Sequence, residues 1–186
     1  MNLKYYLQGT LATTVTLFVW GMVMHVGLHD AIQAIPIMDE TVETQLVTSL
    51  QDPAVALPDG VHMGGRGLFV VISTLDNNTD TFSGLSLPGT LTAQLLICLV
   101  VGGLLSTIVL KLRTSSILET GINTALIALA AASFSCLPQW SFYGFGAKLT
   151  AVNMLDIVGG WFFSGLILAW LARRSGIQST DNLAAE

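Results

Sequence analysis

Four long runs of apolar residues dominate the chain, separated by segments richer in polar residues, glycine and proline. The runs cover about residues 7–28, 91–110, 117–137 and 152–171. A helix needs about 20 apolar residues to cross the hydrocarbon core of a bilayer, and each run is long enough. Because lipid offers the backbone no hydrogen-bond partners, each run should be helical. The pattern therefore predicts an all-α integral membrane protein built as a bundle of four transmembrane helices.

The first run is expected to be a retained membrane helix rather than a cleaved signal peptide. It is longer than the usual apolar core of a signal peptide, it contains His25, and no good Ala-x-Ala site follows it.

Basic residues predict the orientation of the four helices, because they accumulate on the cytoplasmic side of a membrane. With four crossings, five of the seven basic residues fall on one side: Lys4, Lys111, Arg113, Arg173 and Arg174. The other side has only Arg66 and Lys148, over a much longer stretch of chain. We therefore expect a multi-pass membrane protein with both termini in the cytoplasm.

The composition agrees with a membrane protein and excludes several other classes. Hydrophobic residues make up 52% of the chain and charged residues only 10%, whereas a soluble domain carries about 25% charged residues. These values exclude a disordered chain, a nucleic-acid-binding protein and an ordinary soluble enzyme. The net charge is −5, and eight of the twelve acidic residues lie between Asp30 and Asp80.

Residues 30–90, between the first two helices, are predicted to form a small acidic α+β cap outside the membrane, within a single domain of residues 1–186. Asp39 can cap a short helix whose apolar face is Val42, Leu46 and Leu50. Residues 67–75 are rich in β-branched side chains and predict a strand. Its expected hairpin partner is residues 61–63 or 79–82.

Small residues mark one face of the third helix, which is therefore predicted to be the central and most buried helix. The residues are Gly121, Ala125, Ala128, Ala132 and Ser135, at steps of four and three. Gly102 with Ser106, and Gly103 with Thr107, offer a matching surface on the second helix. Ser116 and Glu119 fit a capping box at the start of the third helix.

Polar side chains within the apolar runs form the candidate site, because such groups are costly in a membrane. At a rise of about 1.5 Å per residue, one group of them reaches a similar depth near the outer surface. This cluster is His25, His29, Gln94, Asn153 and Asp156. We predict that His25 and Asp156 come within direct or water-bridged hydrogen-bond reach of each other.

Each of these residues has a structural interpretation beside a functional one. His25 and His29 are one helical turn apart and could ligate a metal, with Asp30, His62 or Asp156 completing the set. An interface histidine bonded to a carboxylate is the favoured interpretation. Asp156 could be a proton or cation site, but a buried polar lock is favoured over it. We expect no cofactor, and the single Cys98 and Cys136 do not indicate redox catalysis.

Several short motifs are shared with a known group of membrane proteins. In chain order they are Phe18-Val19-Trp20-Gly21, the Gly-Val-x-x-x-Gly turn at residues 60–65, Leu137-Pro138-Gln139-Trp140, Asn153-Met154-Leu155-Asp156 and Gly159-Gly160-Trp161-Phe162. Together they resemble an uncharacterised family of small four-helix bacterial inner-membrane proteins. At residues 60–65 the chain departs from the aromatic-Pro-Gly turn expected there. The resemblance implies a bacterial inner (plasma) membrane and the same four-helix plan, and it implies no reaction.

These features together favour a non-enzymatic accessory, assembly or scaffold subunit of a larger membrane complex. Its partners would be the lipid bilayer, other membrane subunits and a basic periplasmic protein docking on the acidic cap. One alternative is a small oligomeric transporter or channel subunit that uses Asp156 and Asn153. Another is a metal-binding membrane protein that uses His25 and His29, with His62 as a further candidate ligand.

Overall fold

The computed structural model describes residues 3–28, 39–51, 60–63, 69–72, 87–112 and 116–176. Its elements are α1 (Leu3–Met22) continued by a π-helical segment (Val23–Leu28), α2 (Glu40–Gln51), β1 (Gly60–Met63), β2 (Phe69–Ile72), α3 (Leu87–Leu112), α4 (Ile117–Tyr143) and α5 (Ala147–Arg174). Helices α1, α3, α4 and α5 are each long and apolar enough to cross a membrane. The prediction of four such helices is confirmed.

Helix α4 begins at the capping residue Ser116 and ends at the capping residue Gly144. The Ser116 hydroxyl accepts a hydrogen bond from the Glu119 backbone N–H at 3.4 Å, as predicted. The helix continues through Pro138 for five more residues, which the prediction of its end near residue 137 missed. It stops at Gly144, whose φ of 70° is left-handed and suits glycine. The Phe145 N–H then bonds Gln139 O at 3.2 Å, which satisfies one of the last carbonyls.

The segment between α1 and α3 contains a helix and a hairpin. The Asp39 carboxylate accepts the Thr41 backbone N–H at 2.9 Å at the start of α2, as predicted. That hydrogen bond lowers the pKa of the Asp39 carboxyl. Strands β1 and β2 pair antiparallel, with Gly60 opposite Ile72 and Met63 opposite Phe69. The rest of this segment, including the alternative strand partner at residues 79–82, lies outside the described residues.

These elements do not support the predicted α+β cap. Val42 and Leu46, on the expected apolar face of α2, are 46% and 45% exposed, and the Leu50 side chain lies outside the described residues. A helix with two exposed apolar side chains and a hairpin of two short strands do not establish such a cap, because hairpins of this size are only marginally stable alone.

By the density of internal contacts the chain has two compact units. One is Ile35–Thr92, and the other, here called the helical unit, is Met1–Ala34 with Ala93–Glu186. The helical unit contains α1, α4, α5 and most of α3. The polar residues of the candidate site that the structure describes, and all packing described below, belong to it.

Helix α5, rather than α4, is the central helix of this unit. Its Leu168 and Ala172 join a buried cluster with Tyr5 of α1 and with Leu105 and Val109 of α3. The Tyr5 hydroxyl donates to Leu168 O at 3.1 Å in the same cluster. Helix α4, predicted to be the most buried, is no more buried than α3. A small-residue face identifies one close contact, but it does not say how many neighbours a helix has.

The small face of α4 does pack closely, and its neighbour is α5. Gly121, Ala128 and Ala132 are buried, Ala125 is half-buried and Ser135 is exposed. A Cβ on Gly165 of α5 would stand 3.0 Å from Gly121 Cα. The two backbones therefore approach each other as small-residue faces allow.

The small face of α3 packs against a different helix from the one predicted. A Cβ on Gly102 would lie 2.9 Å from Thr10 O of α1, and a Cβ on Gly9 would lie 3.0 Å from Ser106 Oγ. Gly102 and Ser106 therefore meet α1 rather than matching the stripe on α4. Helices α3 and α4 each have a small-residue face. The spacing of the small residues does not specify which neighbouring helix each face packs against.

Candidate functional site

Helices α1 and α5 are antiparallel neighbours, and this arrangement creates the candidate site. Near one end Tyr5 contacts Leu168, and near the other Trp20 contacts Asp156. Sequence position rises along one helix as it falls along the other. The π-helical end of α1, which contains His25, is thereby brought beside the first half of α5.

Trp20 is the residue that joins the two helices at this end. Its indole Nε1 donates to the backbone carbonyl of Asp156 at 2.9 Å. Its ring lies against Gly159 and Gly160, where an added Cβ would collide with it or press on it. The ring also packs on Phe163, with ring centroids 5.1 Å apart. The glycine pair makes room for the indole, and the indole sets the spacing of α1 and α5 beside Asp156.

His25 and Asp156 are brought together, as the depth argument predicted. His25 Nδ1 lies 3.8 Å from Asp156 Oδ2, which is an ion-pair distance rather than a hydrogen-bond distance. The same nitrogen lies 3.1 Å from the Gly21 carbonyl oxygen, to which it donates when it carries the proton. The His25 side chain is exposed and that of Asp156 is partly buried. A protonated imidazole would therefore attract the carboxylate across the interface between α1 and α5.

The π-helical segment (Val23–Leu28) places this histidine. A π-helical turn is rare and is found mostly as a local insertion at functional sites. The extra residue per turn changes the direction in which the following side chains leave the helix. The sequence indicated no such segment.

Gln94 shares a small cavity with Asp156, between α1, α3 and α5. The cavity has a volume of about 190 Å³ and is lined by Leu17, Trp20, Gly21, Gln94, Ile97, Cys98, Val101, Asp156, Ile157 and Trp161. Gln94 Nε2 donates to the buried Cys98 Sγ at 3.8 Å. Two polar side chains and two indole rings therefore converge on one apolar-walled space.

The other predicted members of the cluster are not shown at the cavity. Asn153 is half-buried, three residues before Asp156 on α5, and it is not among the lining residues. His29 and Asp30 lie outside the described residues, as does the side chain of His62, whose backbone forms part of β1.

The metal interpretation has two potential donors in the described residues, His25 and Asp156. Within those residues no three His, Cys, Asp or Glu side chains converge closely enough to hold an ion. Structural metal sites use about four protein ligands and catalytic ones about three. Any metal site here would therefore need His29 or another ligand from outside the described residues.

Trp20 and Cys98 are members of the site that the sequence analysis missed. Trp20 was noted only within the Phe18-Val19-Trp20-Gly21 motif. The Gly159-Gly160 pair, however, indicates a position on α5 where a bulky side chain can pack. Adjacent glycines in an apolar helix often mark the close approach of a bulky group from a neighbouring helix. Cys98 carried no comparable signal, because a lone cysteine in an apolar run is typical of ordinary packing.

Replacing Asp156 distinguishes a polar lock from a dispensable acid. Asp156→Asn is expected to change the unfolding free energy little, because the amide keeps a polar side chain of the same size beside the cavity. Asp156→Leu is expected to cost about 1 kcal/mol, the scale of a lost polar partner. Unfolding in detergent, together with a double-mutant cycle against His25→Asn, measures the coupling. Equal effects of the Asn and Leu variants would contradict the pairing.

The site and the packing around it are the basis for assigning a function, since the resemblance to small four-helix membrane proteins rests on short motifs. No family model matches the chain, and neither does a curated protein sequence or a solved structure.

Proposed function

We propose that the protein is a non-enzymatic accessory, assembly or scaffold subunit of a larger bacterial inner-membrane complex. One observation carries this proposal. Three polar side chains of the helical unit bond one of its helices to another, while large aromatic side chains of α4 stay exposed.

Three hydrogen bonds between helices illustrate the first half of that observation. Tyr5 bonds Leu168 O at 3.1 Å, and Trp20 bonds Asp156 O at 2.9 Å. Thr124 Oγ1 donates to Trp161 O at 3.0 Å. Each acceptor is a backbone carbonyl of α5, so these polar side chains act as packing contacts. This use supports a structural role over a catalytic one.

Large aromatic side chains of α4 are exposed. Phe134 is 87% exposed and Phe142 is 82% exposed, and Trp140 between them is exposed as well. Lipid can cover an apolar face, but aromatic side chains are also enriched where proteins bind each other. A partner helix on this face would bury two large rings at once.

The interaction is tested by purifying the tagged full-length protein from its native membranes in a mild detergent. We expect one co-purifying membrane protein in a fixed ratio. The double variant Phe134→Ala/Phe142→Ala should lose it. The matched control is Leu96→Ala/Leu104→Ala, since these leucines are exposed on α3 with the same spacing. A monodisperse monomer from wild-type membranes would count against the proposal.

The acidic segment supplies a second docking element within the same proposal. It holds eight of the twelve acidic residues, over residues 30–80. A basic periplasmic protein is the complementary partner. Its binding should weaken as salt rises, because exposed charges are screened within about 10 Å at 0.1 M salt.

The proposed orientation has both termini in the cytoplasm. A cysteine introduced as Ser179→Cys should then resist an impermeant thiol reagent added to intact cells. Ser141→Cys, at the exposed far end of α4, is the control that should be labelled. The native Cys98 and Cys136 are buried and should give little background. Labelling of the position-179 cysteine from outside would reverse the orientation.

A small transporter or channel subunit is the second candidate, because Asp156 and Gln94 both line the cavity. Four helices rarely enclose a path alone, so this function would require an oligomer. Asp156→Asn should abolish proton or cation uptake by vesicles that contain the protein, while leaving its unfolding unchanged. Unchanged uptake would remove this candidate.

A further inference from the structure

A cleft of about 480 Å³ lies at the end of the helical unit opposite the His25 site. It forms where the first turns of α1 meet the last turn of α5. Its lining residues are Lys4, Tyr5, Gln8, Leu171, Arg174 and Ser175. Pockets for small ligands run from about 300 to 1,000 Å³, so the cleft is large enough for a lipid headgroup.

The chemistry of the cleft is cationic in a chain that is acidic overall. Lys4 and Arg174 contribute two positive charges, and among the described lining residues none is acidic. The chain itself has a net charge of −5. Gln8 and Ser175 add neutral hydrogen-bond donors at the rim. The positive end of the α1 dipole and the negative end of the α5 dipole both lie here and oppose each other, so the positive charge of the cleft comes from Lys4 and Arg174.

Arg174 is held in a defined position beside the cleft. Its guanidinium carbon lies 5.4 Å from the centroid of the Trp170 ring, a cation–π arrangement. The guanidinium N–H groups match the oxygens of a phosphate in a bidentate manner.

The position of the cleft suits a lipid rather than a solute. Its accessible lining is mainly polar, as a headgroup site requires, and Leu171 adds an apolar wall. The neighbouring Trp170 is half exposed, as tryptophans at a membrane interface are. Both flanking helices are of membrane-spanning length. A phosphate bound between Lys4 and Arg174 would lie where headgroups lie, with its acyl chains running along α1 and α5.

We infer that this cleft binds the phosphate of an anionic phospholipid headgroup. The recognition uses Lys4 and Arg174 for charge, with Gln8 and Ser175 as hydrogen-bond donors to the phosphate or its ester oxygens. Basic pockets between helices are a recurring means of holding anionic lipids. The inference is independent of the accessory role, since a transporter could hold a lipid in the same way.

Native mass spectrometry of the full-length protein in detergent tests the site with two lipids at equal concentration. Phosphatidylglycerol should bind the wild type more tightly than phosphatidylcholine. The Lys4→Gln/Arg174→Gln variant should bind phosphatidylglycerol roughly thirtyfold more weakly, the scale expected for two basic residues at a membrane surface. Lys148→Gln is the matched control, because Lys148 is exposed at the other end of α5. It should bind like the wild type.

Two further arms decide what is recognised. The charge-conserving Lys4→Arg variant, which leaves Arg174 in place, should keep most of the binding, and all variants should melt like the wild type without added lipid. Equal binding of the two lipids, or equal binding by the Gln variant and the wild type, would overturn the site. Binding of inorganic phosphate as tightly as the lipid would show a solute site instead and would overturn the lipid assignment.

Discussion

Replacing Gly165 with alanine is expected to destabilise the helical unit by about 1–3 kcal/mol, the usual cost of overpacking. The new methyl group would overlap Thr124 Oγ1. It would also lie 3.0 Å from Gly121 Cα and 3.1 Å from Thr120 O. The last two are backbone atoms, so they cannot rotate away, and α4 would have to move off α5. That movement would also stretch the 3.0 Å hydrogen bond from Thr124 to Trp161 O.

The measurement is unfolding of the purified full-length protein by heat or by a denaturing detergent. Gly21→Ala is the matched control, because a Cβ at Gly21 of α1 meets no atom within 4 Å. That control should be neutral or slightly stabilising, since glycine inside a helix costs about 0.5–1 kcal/mol relative to alanine. If both alanine variants behaved alike, the close approach of α4 and α5 at Gly165 would be wrong.

Ala128→Leu is expected to lower stability by a similar amount, about 1–3 kcal/mol. Ala128 is fully buried, one turn beyond Thr124 on the same face of α4. Thr124 bonds to α5, so the leucine would enter the same interface. Three added carbon atoms find no free volume between two closely packed backbones.

Ala130→Leu makes the same substitution on the same helix and isolates the effect of position. Ala130 is exposed, so the leucine should face lipid or detergent and leave the melting temperature unchanged. The pair of variants is compared in one detergent by thermal unfolding. If leucine were tolerated at both positions, the small-residue face of α4 would not be an interface.

Features that depend on local sequence were predictable. The number of long helices follows from the four apolar runs, since a run of that length has few other structures available in lipid. The starts of α2 and α4 follow from Asp39 and Ser116, whose side chains cap backbone groups two or three residues away. The approach of His25 to Asp156 followed from depth, which is also a local count along each helix.

Features that depend on the rotation of one helix against another could not be predicted from the sequence. Three features are of this kind. Gly102 packs against α1, α5 lies at the centre of the unit, and Trp20 packs on the Gly159-Gly160 pair. In water, an apolar face marks the buried side of a helix. In a membrane, the sides that face lipid and the sides that face protein are both apolar, so hydrophobicity no longer separates them.

The sequence by itself therefore determined the class of the protein, its four long helices and the polar residues that need a partner. Only the tertiary structure decided which partners they obtain. It placed Asp156 against Trp20 and His25, and it brought Lys4 and Arg174 together at the other end of the same pair of helices. The physical reason is that both sites lie between α1 and α5, and their antiparallel contact depends on side-chain shape along both helices at once.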